Sequence, residues 1–211
     1  EKGYRNLRDP IPMYLAGYGP KAQALAGEIA DGLTTNIPRG GTLDQILANA
    51  RTGAARNSRS LDEFHLSVRV NFAVLEPGEP VDSERIVNEF GPAITTALHS
   101  TMDRHLEYGE DPPEFLRPIW KDYLAFHMTR PAAERQKMMH ESHNAYVAPD
   151  ERRFVTPEVI KRSCIVGEPG EVLEQVRELE RKGVRQLMCN FPLERGYRMV
   201  REYAANIIQK L

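Results

Sequence analysis

A parallel α/β fold is the class this sequence predicts, and three observations carry it. Apolar, β-forming runs alternate with helix-like segments toward both ends of the chain. Helix stops fall on glycine just before the next apolar run, at Asp31-Gly32 and at Gly183. Residues 64–75 alternate in character and are rich in β-formers, from His65 through Leu66, Val68, Val70 and Phe72 to Val74. Strand–helix alternation predicts parallel pairing through right-handed crossovers.

The elements follow in order. Strands are expected at residues 12–16, 32–36, 64–75 and 184–191, and helices at 20–30, 42–56 and 168–182. The first unit is the most informative. A short apolar run (Met13, Tyr14, Leu15, Ala16) enters the turn Gly17-Tyr18-Gly19, and Pro20 then opens a helix. Proline in the first helical turn loses no hydrogen bond, because the first N–H groups have no partner inside the helix. Gly17 and Gly19 carry no Cβ, so an anion can approach those free N–H groups. Strand, glycine turn and helix therefore make either a phosphate cradle or an ordinary turn whose glycines serve backbone geometry. For the second helix, Thr42 is the expected N-cap, with Gln45 three residues on completing a capping box.

Residues 81–162 break the alternation. They are helix-rich, with amphipathic stretches at 83–107, 113–126 and 132–145 punctuated by Pro112-Pro113, Pro118 and Pro131. A connection this long carries structure of its own. It is expected to be a helical insertion, within a single domain, between the third and the last strand.

At 211 residues the chain can bury a real core. Lys plus Arg number 28 against 30 Asp plus Glu, and this balance points away from nucleic acid. No apolar run approaches the roughly 18 residues of a membrane helix, and the polar start Glu1-Lys2-Gly3-Tyr4-Arg5 does not read as a signal peptide. Cys164 and Cys189 sit on separate extended segments and form neither a disulfide framework nor a metal knuckle, so a cytoplasmic setting is expected.

Few residues carry a chemical signature. The 17–21 turn sits at the C-terminal end of the first strand, where barrel sites are built. Lys21 can add a point charge there or stand solvated at the helix start. Asn36 ends the second strand at the same rim. Arg39, in the loop that follows, reads as an anion contact or as a surface arginine. His140 and His143 stand three apart on an expected helix. They can line a substrate-pocket mouth or a solvated face, and no metal is expected because no third ligand is apparent nearby. Trp120, Tyr123, Phe126 and Met138-Met139 fall near helical spacing and are expected in the core, or as a lid over an aromatic cofactor. His99, His105 and His127 are scattered, and Cys189 reads as packing.

Two stretches resemble a known family. Gly19-Pro20-Lys21 followed by Ala24-Leu25-Ala26-Gly27-Glu28-Ile29-Ala30-Asp31-Gly32 resembles the luciferase-like flavin-dependent oxidoreductases (monooxygenases). The likeness is strongest to their deazaflavin-using, methylenetetrahydromethanopterin-reductase-like branch. Residues 165–171 (Ile-Val-Gly-Glu-Pro-Gly-Glu) and 179–184 (Leu-Glu-Arg-Lys-Gly-Val) match more weakly. The resemblance implies the C-terminal half of a (β/α)8 TIM barrel with a helical insertion before the last strand. It also implies FMN or the deazaflavin coenzyme F-420 (F420) as cofactor. Gly17, Tyr18, Gly19, Pro20 and Lys21, with Asn36, would then hold the cofactor. The implied chemistry is hydride transfer or oxygenation of a small organic substrate, with no catalytic side chain assigned. Two alternatives are a non-catalytic half-barrel that binds a phosphate-bearing cofactor or a partner, and a phosphate-binding barrel enzyme of unrelated chemistry.

Half a barrel leaves strand edges and one apolar face uncovered. The chain is therefore expected to be a homo-oligomer, to pair with an N-terminal barrel half, or to be poorly soluble. Analytical sedimentation checks this, and a stable, well-folded monomer without a partner segment would contradict it.

Overall fold

The computed structural model describes residues 11–37, 41–191 and 195–211. The chain divides into two compact units, residues 1–70 with 179–188, and residues 71–178 with 189–211.

The first unit opens with the expected strand, turn, helix and strand. β1 (Tyr14–Ala16) leads to α1 (Pro20–Ile29), and β2 (Gly32–Asn36) lies parallel beside β1 with Tyr14 opposite Gly32 and Ala16 opposite Thr34. Proline occupies the first turn of α1, as its fixed φ favours. α2 (Leu43–Arg56) begins at the Thr42 capping box: the Gln45 N–H donates to Thr42 Oγ1 at 3.3 Å and the Thr42 N–H to Gln45 Oε1 at 2.9 Å. β3 (His65–Val74) contributes to both units. Its first half pairs parallel with β2, from Gly32 opposite His65 to Asn36 opposite Arg69. Residues 66–68 are buried in a row, the signature of a parallel strand covered on both faces. β5 (Val184–Cys189) also pairs with β3, and Ser67 Oγ donates to Gln186 Oε1 at 2.9 Å.

α1 and α2 pack backbone against backbone. A Cβ built on Gly27 would lie 1.9 Å from the Ala50 carbonyl oxygen, and one on Gly53 would lie 1.6 Å from that of Ala24. Both glycines are required by the closeness of this crossing, not by their φ. The crossing fixes where α1, and hence its N-terminus, sits.

In the second unit, the last residues of β3 pair parallel with β4 (Cys164–Gly167), from Asn71 opposite Cys164 to Val74 opposite Gly167. Among the described residues the strands therefore number five, and the insertion precedes the fourth of them. The insertion comprises α3 (Glu84–Tyr108), α4 (Arg117–Met128), α5 (Arg135–Met139) and α6 (Pro157–Ser163). α3 starts at the Ser83 cap, runs through Pro92 and stops at Gly109 in the left-handed conformation (φ 68°). α7 (Pro169–Arg181) and α8 (Gly196–Asn206) complete the described helices.

The amphipathic stretch at 132–145 is mostly not helical. Only α5 forms; His140 caps its C-terminus, and Asn144 adopts φ 59°, through which a right-handed helix cannot continue. Trp120, Tyr123 and Met139 are buried as core, whereas Met138 is exposed. The buried Glu89 accepts from Arg85 at 3.3 Å and from Arg198, while Arg85 Nε donates to Glu79 Oε1 at 2.9 Å. Hydrogen bonds from Arg85 outweigh partial burial and hold the Glu79 carboxyl down at about 2. Among the described residues no helix is long and apolar enough to cross a membrane.

Candidate functional site

Two groups of residues carry chemical potential, one in each unit. The first is the 17–21 turn, where two hydrogen bonds fix the backbone. The Gly17 N–H donates to the Thr34 carbonyl at 3.0 Å, tying the end of β1 to β2. Gln23 Nε2 donates to the Tyr18 carbonyl at 2.9 Å, and Gln23 Oε1 accepts from Asn49 Nδ2 at 2.7 Å. Gln23 is fully buried, so this amide braces the turn from beneath through α2. Sequence reading passed over Gln23. Its signal is a polar residue on the buried face of an otherwise small-residue helix.

The two glycines do different work. A Cβ on Gly17 would meet Ala22 Cβ at 2.7 Å, so that glycine is a packing requirement, and its N–H is already committed. Gly17 is therefore a structural member of the turn and not an anion donor. Gly19 has φ −90° and ψ 159°, open to any residue, and a Cβ there would meet nothing within 4 Å. The fold does not need glycine at position 19. What its absent side chain leaves open is the N-terminus of α1, which no side chain among the described residues caps. With Pro20 lacking an N–H, the groups directed outward are the first-turn amides of Lys21 and Ala22 behind Gly19. The Lys21 side chain is exposed at the same place. Asn36 ends β2, the strand beside β1, and is half-buried at the corresponding rim. Arg39 lies outside the described residues.

This geometry suits an anion. A phosphate at an uncapped helix N-terminus meets N–H dipoles and the positive end of the helix dipole, and the space in front of Gly19 is open.

The second group lies in the insertion and brings together histidines that are scattered in the sequence. His99 and Asp103 stand one turn apart on α3. His99 Nε2 donates to Glu151 Oε2 at 2.7 Å, and both side chains are buried. Arg130 Nη2 donates to Glu151 Oε1 at 3.3 Å, and its guanidinium lies 4.8 Å from the Phe126 ring centre. His127 Nε2 is 3.5 Å from Glu151, too far for a hydrogen bond. Burial pushes the Glu151 carboxyl up, but the His99 hydrogen bond and the surrounding positive charge more than offset it and hold it below its ordinary value. Burial holds His127 down at about 4, so its imidazole is neutral at neutral pH, and burial pushes the Tyr123 hydroxyl well up.

His140 and His143 are brought together as expected, although by the turn after α5 and not by a helix face. Their Nδ1 atoms are 3.1 Å apart, and His140 Nε2 donates to Asp103 Oδ2 at 2.9 Å. Position 99 had no readable link to 140 and 143, because 40 residues of insertion separate them. The free cysteines carry no reactive signature: burial pushes the Cys164 thiol up to about 12 and that of Cys189 to about 11.

Comparison with known proteins places the chain in a family. An F420-dependent glucose-6-phosphate dehydrogenase of Intrasporangium calvum is 23% identical over 211 residues, covering 99% of this chain and 51% of that protein. A 5,10-methylenetetrahydromethanopterin reductase of Archaeoglobus fulgidus is 26% identical over 187 residues, covering 87% and 49%. The chain thus spans about half the length of the curated relatives it matches. Among solved structures, the coenzyme F420 dependent tetrahydromethanopterin reductase of Methanopyrus kandleri aligns over 84% of this chain and 44% of its own, with 22% identity and a TM-score of 0.47. The family model for luciferase-like monooxygenases matches residues 2–186, and the chain belongs to that family.

Proposed function

We propose that this chain supplies the cofactor-phosphate site of a deazaflavin-dependent oxidoreductase acting on a small organic substrate. The observation that carries the proposal is the open N-terminus of α1 at Gly19, a glycine the fold does not require, in a chain of the luciferase-like family one of whose relatives is named an F420-dependent dehydrogenase. When bound, the deazaflavin supplies the hydride chemistry. The chain's own residues bind and orient. The first-turn amides of α1 receive the phosphate, Lys21 adds charge, Gln23 keeps the Tyr18 carbonyl turned inward, and Asn36 stands at the neighbouring strand end. β1 pairs only with β2 among the described residues, and Met13, Tyr14, Leu25 and Ile29 are exposed. These features support assembly with a second copy or with a further barrel half.

Titration of F420 and of FMN into the intact protein, Gly19→Val and Lys21→Ala tests this reading. F420 is expected to bind more tightly than FMN. Gly19→Val should lower the melting temperature only slightly, as a poorer N-cap residue, yet weaken binding at least about tenfold, because it covers the amides. Lys21→Ala should cost about two- to fivefold, the effect of one exposed charge at a helix end. Equal affinity across the three proteins would place the phosphate elsewhere. Failure of the intact protein to bind either cofactor would favour the non-catalytic alternative.

A further inference from the structure

The insertion contains an arrangement that neither the family resemblance nor the cofactor reading uses. One ring nitrogen each of His99, His140 and His143 lies within 4.8 Å of the other two. Which nitrogens can offer a lone pair follows from their partners. A carboxylate only accepts, so His99 Nε2 carries the proton it donates to Glu151, and His140 Nε2 carries the one it donates to Asp103. In the neutral rings this leaves the His99 Nδ1 lone pair unpartnered, while that of His140 Nδ1 accepts from His143 Nδ1–H, a proton that a bound cation would displace. His99 Nδ1 is fully buried and has no hydrogen-bond partner, and a buried nitrogen in that state is costly. His140 Nδ1 faces His143 Nδ1 at 3.1 Å, close to the roughly 3.3 Å that separates two nitrogen ligands on one tetrahedral zinc ion.

We propose that His99, His140 and His143 form a divalent transition-metal site of the zinc type, coordinated through their Nδ1 atoms. The partners beyond the ligands match what such sites use. Two of the three imidazoles donate their other N–H to a carboxylate, Glu151 for His99 and Asp103 for His140, which fixes the tautomer and raises ligand basicity. Imidazole ligands select zinc, cobalt, nickel or copper over magnesium or calcium. His143 is exposed, so the fourth position opens to water. The ion would clamp the turn after α5 onto α3, where the Asn144 N–H already donates to Thr96 Oγ1 at 3.1 Å. The site lies wholly within the second unit and is independent of the proposed cofactor binding.

The test is calorimetric titration of chelator-stripped, intact protein with Zn²⁺, with visible spectroscopy of the Co²⁺ form. One ion per chain should bind, Co²⁺ should give the intense visible bands of a tetrahedral site, and Zn²⁺ should raise the melting temperature. His143→Ala alters an exposed turn residue and should fold normally by circular dichroism. It should bind Zn²⁺ at least about tenfold more weakly and lose the melting shift, and Asp103→Asn should weaken binding about 10- to 100-fold. No stoichiometric binding by the intact chain would overturn the proposal. Binding that His143→Ala leaves unchanged would also overturn it, by moving the ion to the His99, His127 and Glu151 group.

Discussion

Gly53→Val is expected to destabilise the first unit by about 3 kcal/mol or more, and Gly27→Ala by nearly as much. The Cβ positions fall 1.6 and 1.9 Å from the carbonyl oxygens of Ala24 and Ala50. Those atoms are helix backbone, so neither neighbour can rotate away, and the helices must separate and lose the packing of Ala24, Ala26, Ile46 and Ala50. Overpacking a close crossing costs about 1–3 kcal/mol, more where backbone is struck. Urea denaturation followed by circular dichroism measures this, with Gly170→Ala as control. A Cβ on Gly170 meets nothing within 4 Å, so that change should be neutral or slightly stabilising. A loss below about 1 kcal/mol for Gly53→Val would contradict the closeness of the crossing.

Glu151→Ala is expected to cost about 3–5 kcal/mol, the penalty of leaving a buried charge without its partner. Glu151 is 1% exposed and holds together His99 from α3 and Arg130 from the segment after α4. Without it, Arg130 keeps, among the described residues, Asp150 at 3.5 Å, which is largely exposed, and the Phe126 ring. His99 loses the acceptor that fixes its tautomer. Glu151→Gln keeps an acceptor oxygen and should fall between Ala and the native protein. The measurement is again the urea midpoint at neutral pH, and a change under about 1 kcal/mol would show that Glu151 does not organise the insertion.

How much of this was legible depends on the range of the interaction. The 12–36 unit was readable because its signals are local: Pro20 at the helix start, Asp31-Gly32 at its stop, and β-formers on either side. The Thr42–Gln45 capping box is local too, and it formed as expected. β4 is four residues long and offers too few positions for a period, so the sequence placed Cys164 on an extended segment without giving that strand bounds. The stretch at 132–145 had helical spacing, but only Arg135–Met139 is helical, and Asn144 with φ 59° is incompatible with a helix running on to 145. At the candidate sites, the glycine turn was visible, whereas the different duties of Gly17 and Gly19 depend on what lies across the strand and helix. The convergence of His99, Asp103, His140, His143 and Glu151 spans some 50 residues of chain and has no local pattern to betray it.

The central claim is that the exposed amides of the first α1 turn receive the cofactor's phosphate, and amide-resolved NMR of the ¹⁵N-labelled protein during an F420 titration tests it most directly. Saturable shifts are expected at the Gly19, Lys21 and Ala22 amides. The Gly17 amide, already bonded to Thr34, should move least within the turn. Saturable shifts confined to other parts of the chain, with those three amides unmoved, would contradict the claim.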